Sequence, residues 1–406
     1  MDGFTYASVR MDDESPAPRE RINYRFVVLG ALLMVATLPG RTQGLGLITE
    51  PLLDELGITH LSYARINLLA SLLGALACFP AGWLLDRFGL RVVGGVVVIL
   101  LTGAVAGLSG LSGGLLLLFL WIFASRGLGQ SALSVISIAA AGRQPASRSS
   151  LAMGLYALLL SILFAVAFVW VGQVVIESGW RIAWGQIGWF LALGVFPLLM
   201  IMAPGGRTRE VSEASLGGIT LAEALRSRAF WIFGGCAASF GLVSSGFGLF
   251  NESILAEVGY DQETYHRFLA VTTLFALIGQ LACGWLSLRY SLEKLTGAAM
   301  LLYAASLLSL PFVSGPGIWG QCALMGIAAG AVTVIFFAVW KQRFGERHLG
   351  RILGAAQLLT VLASALGPVV FAAVFEGTGS YAVILWVLAG VVAGLGVAAM
   401  LLRYRE

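Results

Sequence analysis

Gly44-Leu45-Gly46-Leu47-Ile48-Thr49-Glu50 returns as Gly246-Phe247-Gly248-Leu249-Phe250-Asn251-Glu252, an offset of 202 residues (246 minus 44). The register then holds without an insertion through Leu53/Leu255, Glu55/Glu257, Gly57/Gly259, Tyr63/Tyr265 and Arg65/Arg267. It runs on to Gly82-Trp83-Leu84/Gly284-Trp285-Leu286 and Arg87/Arg289. Ungapped agreement at one offset, close to half of the 406 residues, marks an internal duplication.

The duplicated unit belongs in a membrane. Hydrophobic residues make up 58% of the chain and charged residues 11%, and the mean hydropathy is +0.89, far from the composition of soluble domains. Apolar runs long enough to cross a bilayer predict twelve spans, at about 25–53, 62–85, 91–112, 114–142, 151–175, 182–203, 229–255, 263–288, 293–313, 317–341, 351–375 and 380–402. Six per half is an even number, so the two copies share one orientation and are related by an axis along the membrane normal. The expected fold is an all-α polytopic membrane protein, twelve transmembrane helices in two six-helix pseudo-symmetric bundles. Residues 1–24 form an N-terminal tail, 25–203 the first bundle, 204–228 a linker opened by Pro204-Gly205-Gly206, 229–402 the second bundle and 403–406 a C-terminal tail. The first 24 residues mix Asp12-Asp13-Glu14 with Arg19-Glu20-Arg21, unlike a cleavable signal peptide. Cys78, Cys236, Cys283 and Cys322 fall inside spans and read as small packing residues.

The net charge of +4 follows topology, and no nucleic-acid partner is expected. Basic residues precede span 1 (Arg10, Arg19, Arg21, Arg25) and lie between spans 2 and 3 (Arg87, Arg91), 4 and 5 (Arg143, Arg148) and 6 and 7 (Arg207, Arg209, Arg226, Arg228). They recur between spans 8 and 9 (Arg289, Lys294), between 10 and 11 (Lys341, Arg343, Arg347, Arg351) and after span 12 (Arg403, Arg405). All of these share one side if the spans alternate, so the positive-inside rule places both termini in the cytoplasm. Arg41, Arg65, Arg126, Arg181 and Arg267 break the pattern.

Arg41 is the costliest of the five. It stands in Thr37-Leu38-Pro39-Gly40-Arg41-Thr42-Gln43-Gly44, and a helix rising about 1.5 Å per residue from Arg25 brings it close to the bilayer midplane. An arginine at that depth costs about 2.5–3.5 kcal/mol on insertion scales, so it should face a polar cavity and have a partner. Pro39-Gly40 removes a backbone donor and loosens the helix just before it. The duplication isolates the charge, because Arg41-Thr42-Gln43 becomes Val243-Ser244-Ser245. Span 4 carries Arg126-Gly127-Leu128-Gly129-Gln130-Ser131, and an offset of 199 that aligns Ala132, Ser134, Val135 and Ile136 with Ala331, Thr333, Val334 and Ile335 sets Arg126 against Met325. Work on substrate or protons and a structural role capping carbonyls stand level for Arg126. Glu50 lies about 14 Å further along the helix than Arg41, so the N-terminal half offers no midplane counter-ion. An anion arriving from outside would relieve two uncompensated charges, and the arginine fork suits a carboxylate. Glu50, Tyr63 and Arg65, with their copies Glu252, Tyr265 and Arg267, read first as pairs stabilising each helix hairpin; Glu50 and Glu252 are also the candidate proton carriers.

Gly82-Trp83-Leu84-Leu85-Asp86-Arg87-Phe88-Gly89-Leu90-Arg91, between spans 2 and 3, resembles the loop motif G-x-L-x-D-R-x-G-x-R of the major facilitator superfamily. Gly82 would permit close helix approach, Asp86 would pair with a basic group or a helix N-terminus, and Arg87 and Arg91, spaced by Gly89, would hold that face. The second copy keeps Gly284 and Arg289 but has Leu288 for Asp86, so the resemblance implies an asymmetric gating latch. The Arg126 stretch is similar to the superfamily's span-4 motif. Gly179-Trp180-Arg181, Phe344-Gly345-Glu346-Arg347-His348-Leu349-Gly350 and Gly377-Thr378-Gly379-Ser380-Tyr381 resemble its bacterial members. Pro39 to Gly44 and the start of span 11 resemble the monocarboxylate and oxalate/formate porter branch, with Gln280 where that branch has a cation in span 8.

The resemblance implies a secondary active transporter working by alternating access in a cell membrane, the bacterial inner membrane, with a small organic anion as substrate and a proton as its symport partner. A monomer in the lipid bilayer is expected. Substrate is assigned to Arg41, Thr42, Gln43, Arg126 and Gln130 on one wall and Ser244, Ser245, Gln280 and Gln357 on the other, although small hydroxyls in membrane helices commonly serve packing. His60, His266 and His348 form no metal spacing and no nucleophile stands with a base, so neither an enzyme nor a metal or cofactor site is expected. A drug or metabolite efflux antiporter, and a sensor built on a transporter fold, are the alternatives.

Overall fold

Hydrocarbon offers the backbone no hydrogen-bond partners, so each apolar run must close its bonds within itself. The computed structural model describes residues 22–144, 149–203, 219–345 and 349–402. Eleven helices in it are long and apolar enough to cross a membrane: His60–Leu85, Arg87–Ser109, Leu115–Ala141, Ala152–Ser178, Trp180–Met202, Arg228–Glu257, Gln262–Leu286, Leu292–Phe312, Gly317–Phe344, Ala355–Thr378 and Ala382–Met400. They are spans 2 to 12 of the twelve-helix, two-bundle fold.

Span 1, expected over 25–53 with a loosening at Pro39-Gly40, is broken there outright. Helix Tyr24–Val35 gives way to a 3-10 turn at Leu38–Gly40, Arg41 is extended (φ −88°, ψ 151°), and the chain resumes as Thr42–Gly46 and Thr49–Leu56. Pro39, inside the turn, has no N–H to continue the α ladder. Of the expected linker, residues 204–218 lie outside the described ones, and Thr220 and Glu223 form a capping box on a short helix, Leu221–Arg226.

Without a hydrophobic drive between helices in lipid, close contact relies on small residues. A Cβ on Gly330 of span 10 would lie 1.9 Å from the Ala276 carbonyl oxygen of span 8, and one on Gly46 of span 1 would lie 2.1 Å from the Gly248 carbonyl oxygen of span 7. The second contact joins the two halves. Span 2 also packs on span 11, and span 5 on span 8, where a Cβ on Gly172 would run into the His266 ring. The His60 ring lies 5.3 Å from Phe250 and 5.7 Å from Phe375. These cross-half contacts lie on the face opposite the arginine-rich loops, here called the far face.

On that face the two halves repeat one clamp. Glu55, ending span 1, accepts from Trp180 Nε1 at 2.7 Å and Arg181 Nη2 at 2.6 Å at the start of span 6. Its copy Glu257 accepts from Tyr381 N at 2.8 Å and from the Ser380 hydroxyl at the start of span 12. On the arginine-rich face, Arg87 lies 5.2 Å from the Trp83 ring and its copy Arg289 lies 4.5 Å from Trp285. Arg91 donates through Nε and Nη2 to Ala203 O at 3.0 and 2.6 Å, closing the end of span 6. Gly89 turns the chain at φ 80°, a left-handed conformation that side-chain-bearing residues avoid. The close approach expected at Gly82 is not made in this conformation: a Cβ there would meet nothing within 4 Å. The Asp86 side chain lies outside the described residues.

Replacing Gly330 by Val should lower the thermal midpoint of the purified protein, since forcing methyl groups into a packed contact costs about 1–3 kcal/mol. An unchanged midpoint would contradict the span 8 to span 10 contact.

Candidate functional site

Span 4 widens into a π-helical stretch at Arg126–Leu133, a departure that often accompanies function. The break in span 1 lies against it backbone to backbone: a Cβ on Gly40 would sit 2.1 Å from Ser125 O and 2.9 Å from Gln130 N. Pro39-Gly40 therefore supplies both the interruption and the bare surface that lets span 4 approach.

Arg126, only 2% exposed, is placed by that contact among neutral acceptors. Its Nη1 donates to Thr42 Oγ1 at 3.0 Å and Gln130 Oε1 at 2.8 Å, and its Nη2 to Asn67 Oδ1 at 2.6 Å. Asn67, 1% exposed, is fixed in turn by donating Nδ2 to Tyr63 O at 3.0 Å. One guanidinium thus ties spans 1, 2 and 4. No ion pair among the described residues includes it. Its Nε is buried without a partner. Hydrogen bonds to a charged group contribute about 1.5–3 kcal/mol each, and here three of them offset the desolvation of a lone cation.

Arg41 is half-buried. It donates from Nε to Thr37 Oγ1 at 2.6 Å and from Nη2 to Met34 Sδ at 2.7 Å and Ser134 Oγ at 3.4 Å, with the Phe164 ring 5.4 Å from its guanidinium carbon. Its partners are also all neutral, but its fork is less completely occupied than that of Arg126.

The remaining assigned residues separate. Thr42 and Gln130 join the Arg126 network, and Gln130 is exposed. Gln43 lies against Gly248 at the junction of the halves. Ser244 turns to the Tyr303 hydroxyl at 3.3 Å, inside the second bundle. Ser245 and Gln280 are half-buried and Gln357 is exposed. None of these five hydrogen-bonds to either arginine among the described residues.

Glu50 and Glu252 sit in the far-face seam. Glu50 meets His60 Nε2 at 3.1 Å across the hairpin of spans 1 and 2, and accepts from the Ser253 hydroxyl across the halves. Leu61 N, beside His60, donates to Glu376 Oε1 at 3.3 Å. Glu252 Oε2 and the Tyr265 hydroxyl are buried without partners. The hairpin pairing expected of the arginines takes another form: Arg65 is exposed with no partner among the described residues, and Arg267 pairs with Glu263 one turn back on its own helix. Neither Glu50 nor Glu252 pairs with an arginine among the described residues.

Sequence reasoning missed Asn67, His60 and Ser253. Asn67 carried a usable signal, since Leu269 stands opposite it at the offset of 202, the same polar-for-apolar asymmetry that singles out Arg41.

The profile of the Major Facilitator Superfamily matches residues 29–319 and 236–406. Among curated proteins no sequence matches. The fold is similar to the crystal structure of a bacterial homologue of the human lysosomal transporter Spinster, inward-facing and unoccupied, with a TM-score of 0.65 and 16% identity over 93% of each chain. It is also similar to a mutant of the nucleoside transporter NupG, with a TM-score of 0.77 and 12% identity over 92% of this chain and 99% of that one. At these identities the likeness speaks for the fold alone.

Asn67→Leu leaves a buried donor of Arg126 without an acceptor, which costs about 1–3 kcal/mol. A clear fall in thermal midpoint is expected, and a midpoint equal to wild type would show that the Asn67 contact carries no stability.

Proposed function

Because the chain belongs to the major facilitator superfamily, we propose that this membrane transporter carries a small organic anion, a mono- or dicarboxylate, by rocking its two halves about a central site. Arg41 carries the reading: a half-buried cation beside a helix break, bonded to a hydroxyl, a thioether and a second hydroxyl, with no carboxylate partner among the described residues. A carboxylate from solution is the charge such a site lacks, and its two oxygens match the fork. The conformation supports access from the arginine-rich side, because the cross-half contacts at Gly46, Glu50, His60 and Gly172 gather on the far face. The positive-inside rule favours the cytoplasm for the accessible side and for both termini, and a bacterial inner membrane fits the family resemblance.

Symport with protons is supported by the seam. Glu252 places a buried, unpartnered carboxyl oxygen near Glu50, the residue that links the halves. Glu252 is the candidate proton carrier on this reading, because rocking of the halves would open the seam that encloses it. Glu252→Gln should then uncouple transport from the proton gradient while exchange of anion across the membrane continues; unchanged pH-driven uptake would remove Glu252 from the coupling path.

Arg41→Gln should abolish substrate-driven uptake without loss of membrane insertion, and weaken carboxylate binding about tenfold or more, given about 1.5–3 kcal/mol per charged hydrogen bond. A thermal-shift screen of small anions on purified protein reads this directly, since a ligand of the native state raises its midpoint. Uptake by Arg41→Gln at the wild-type rate would end the anion reading, and stabilisation by lipophilic cations alone would favour an efflux antiporter.

A further inference from the structure

The amide of Gln130 has only one orientation open to it. A guanidinium is all donor and no acceptor, so the group meeting Arg126 Nη1 at 2.8 Å must be the amide oxygen. The NH2 end is thereby turned away from Arg126. Arg126 is 2% exposed and Gln130 is exposed, so the network presents no cation to its surroundings. It presents two N–H donors, polarised by a cation behind them.

The cation cannot readily turn to meet a ligand itself. Asn67 Oδ1 holds Nη2 at 2.6 Å, Thr42 Oγ1 shares Nη1 at 3.0 Å, and Asn67 is fixed by its own bond to Tyr63 O. With only neutral partners among the described residues, the field of Arg126 at the amide is not cancelled by a described carboxylate. Gln130 also stands at the break that presents Arg41, its backbone N 2.9 Å from where a Gly40 Cβ would be. At the offset of 199 the second half has Met325 and Ala329 in place of Arg126 and Gln130, so this donor exists on one wall only.

We infer that Gln130 is a specificity-determining residue that donates its amide N–H groups to an acceptor oxygen of the ligand, with Arg126 and Asn67 as the positioning residues that fix the amide. This deepens the reading of an anion site at Arg41 and rests on it for the ligand's location. The ligand must offer a carboxylate or carbonyl oxygen at this point; a group that only donates hydrogen bonds would face two N–H groups and be rejected.

Two variants separate donation from support. Gln130→Glu keeps an oxygen facing Arg126, so the network retains its partner, but has no N–H left. Gln130→Met removes the donors without adding charge. The probes are succinate, lactate and the uncharged carbonyl acceptor uridine, with binding followed by thermal shift on full-length purified protein. Gln130→Glu should keep a ligand-free midpoint at or above wild type, and both variants should bind every probe that stabilises wild type at least tenfold more weakly. A purely supporting role predicts wild-type binding by Gln130→Glu. That result, wild-type binding by Gln130→Met, or a wild type stabilised by none of the three probes would overturn the inference. Arg41→Gln in parallel keeps the two readings apart. If it binds succinate normally while Gln130→Met does not, the role of Arg41 falls and that of Gln130 stands. If uridine alone stabilises wild type, the anion reading falls and Gln130 is judged on uridine.

Discussion

A buried guanidinium with no carboxylate partner among the described residues organises the first half of this protein. Arg126 is costly to hide in hydrocarbon unless its donors are occupied, and the chain occupies its two terminal nitrogens with one residue from each of three helices, Thr42, Asn67 and Gln130, leaving Nε unpartnered. That demand fixes where span 1 must break, since Gly40 has to lie against the Ser125 carbonyl for Thr42 to arrive. It also accounts for the widened turn at Arg126–Leu133, which spreads span 4 beside the break. The Arg41 environment follows from the same arrangement, because the break that brings Thr42 to Arg126 leaves Arg41 extended on its other side.

The two halves share their framework and differ in their chemistry. The clamp from Glu55 to Trp180 and Arg181 has its counterpart from Glu257 to Ser380 and Tyr381, and the stack of Arg87 on Trp83 has its counterpart in Arg289 on Trp285. These duplicated contacts sit at the ends of the spans, where they hold geometry common to both bundles. Arg41, Asn67, Arg126 and Gln130 face Val243, Leu269, Met325 and Ala329. The polar network is thus an addition to one copy of a scaffold that the other copy maintains with apolar side chains.

Much of the fold was legible because it depends on patterns that run along the chain. Apolar length defines a span whatever it packs against, and an offset reveals duplication without coordinates. The break at Pro39-Gly40 could be read as an interruption, but not as a docking surface, since the Ser125 carbonyl that it meets lies some 85 residues away. Which face of a helix points inward was the least legible property. Ser244 aligns with Thr42, yet it turns to Tyr303, because the partner that draws Thr42 toward span 4 is a methionine in the second half. Gln43 likewise lies at the junction with Gly248, a placement set by how the halves meet. The far-face link from Glu50 to Ser253 was hidden for a related reason: Ser253 aligns with Pro51, so comparing the copies gives no hint of a hydroxyl with a cross-half role.

The order in which the helices are made gives the broken first span a further consequence. Thr42 and the guanidinium it meets are 84 residues apart, so at about 5–20 residues per second of synthesis span 1 waits roughly 4–17 s before span 4 exists. During that interval Arg41 and the interrupted backbone around Pro39 have neither Ser134 nor Ser125 beside them. The nascent first helix is therefore a poor resident of lipid on its own, and the N-terminal bundle is the part of this protein that most needs shelter at the insertion machinery until its fourth helix arrives. The second bundle waits about as long for its own fourth helix, but with Val243 and Met325 in the matching places it has no such charge to shelter in the meantime.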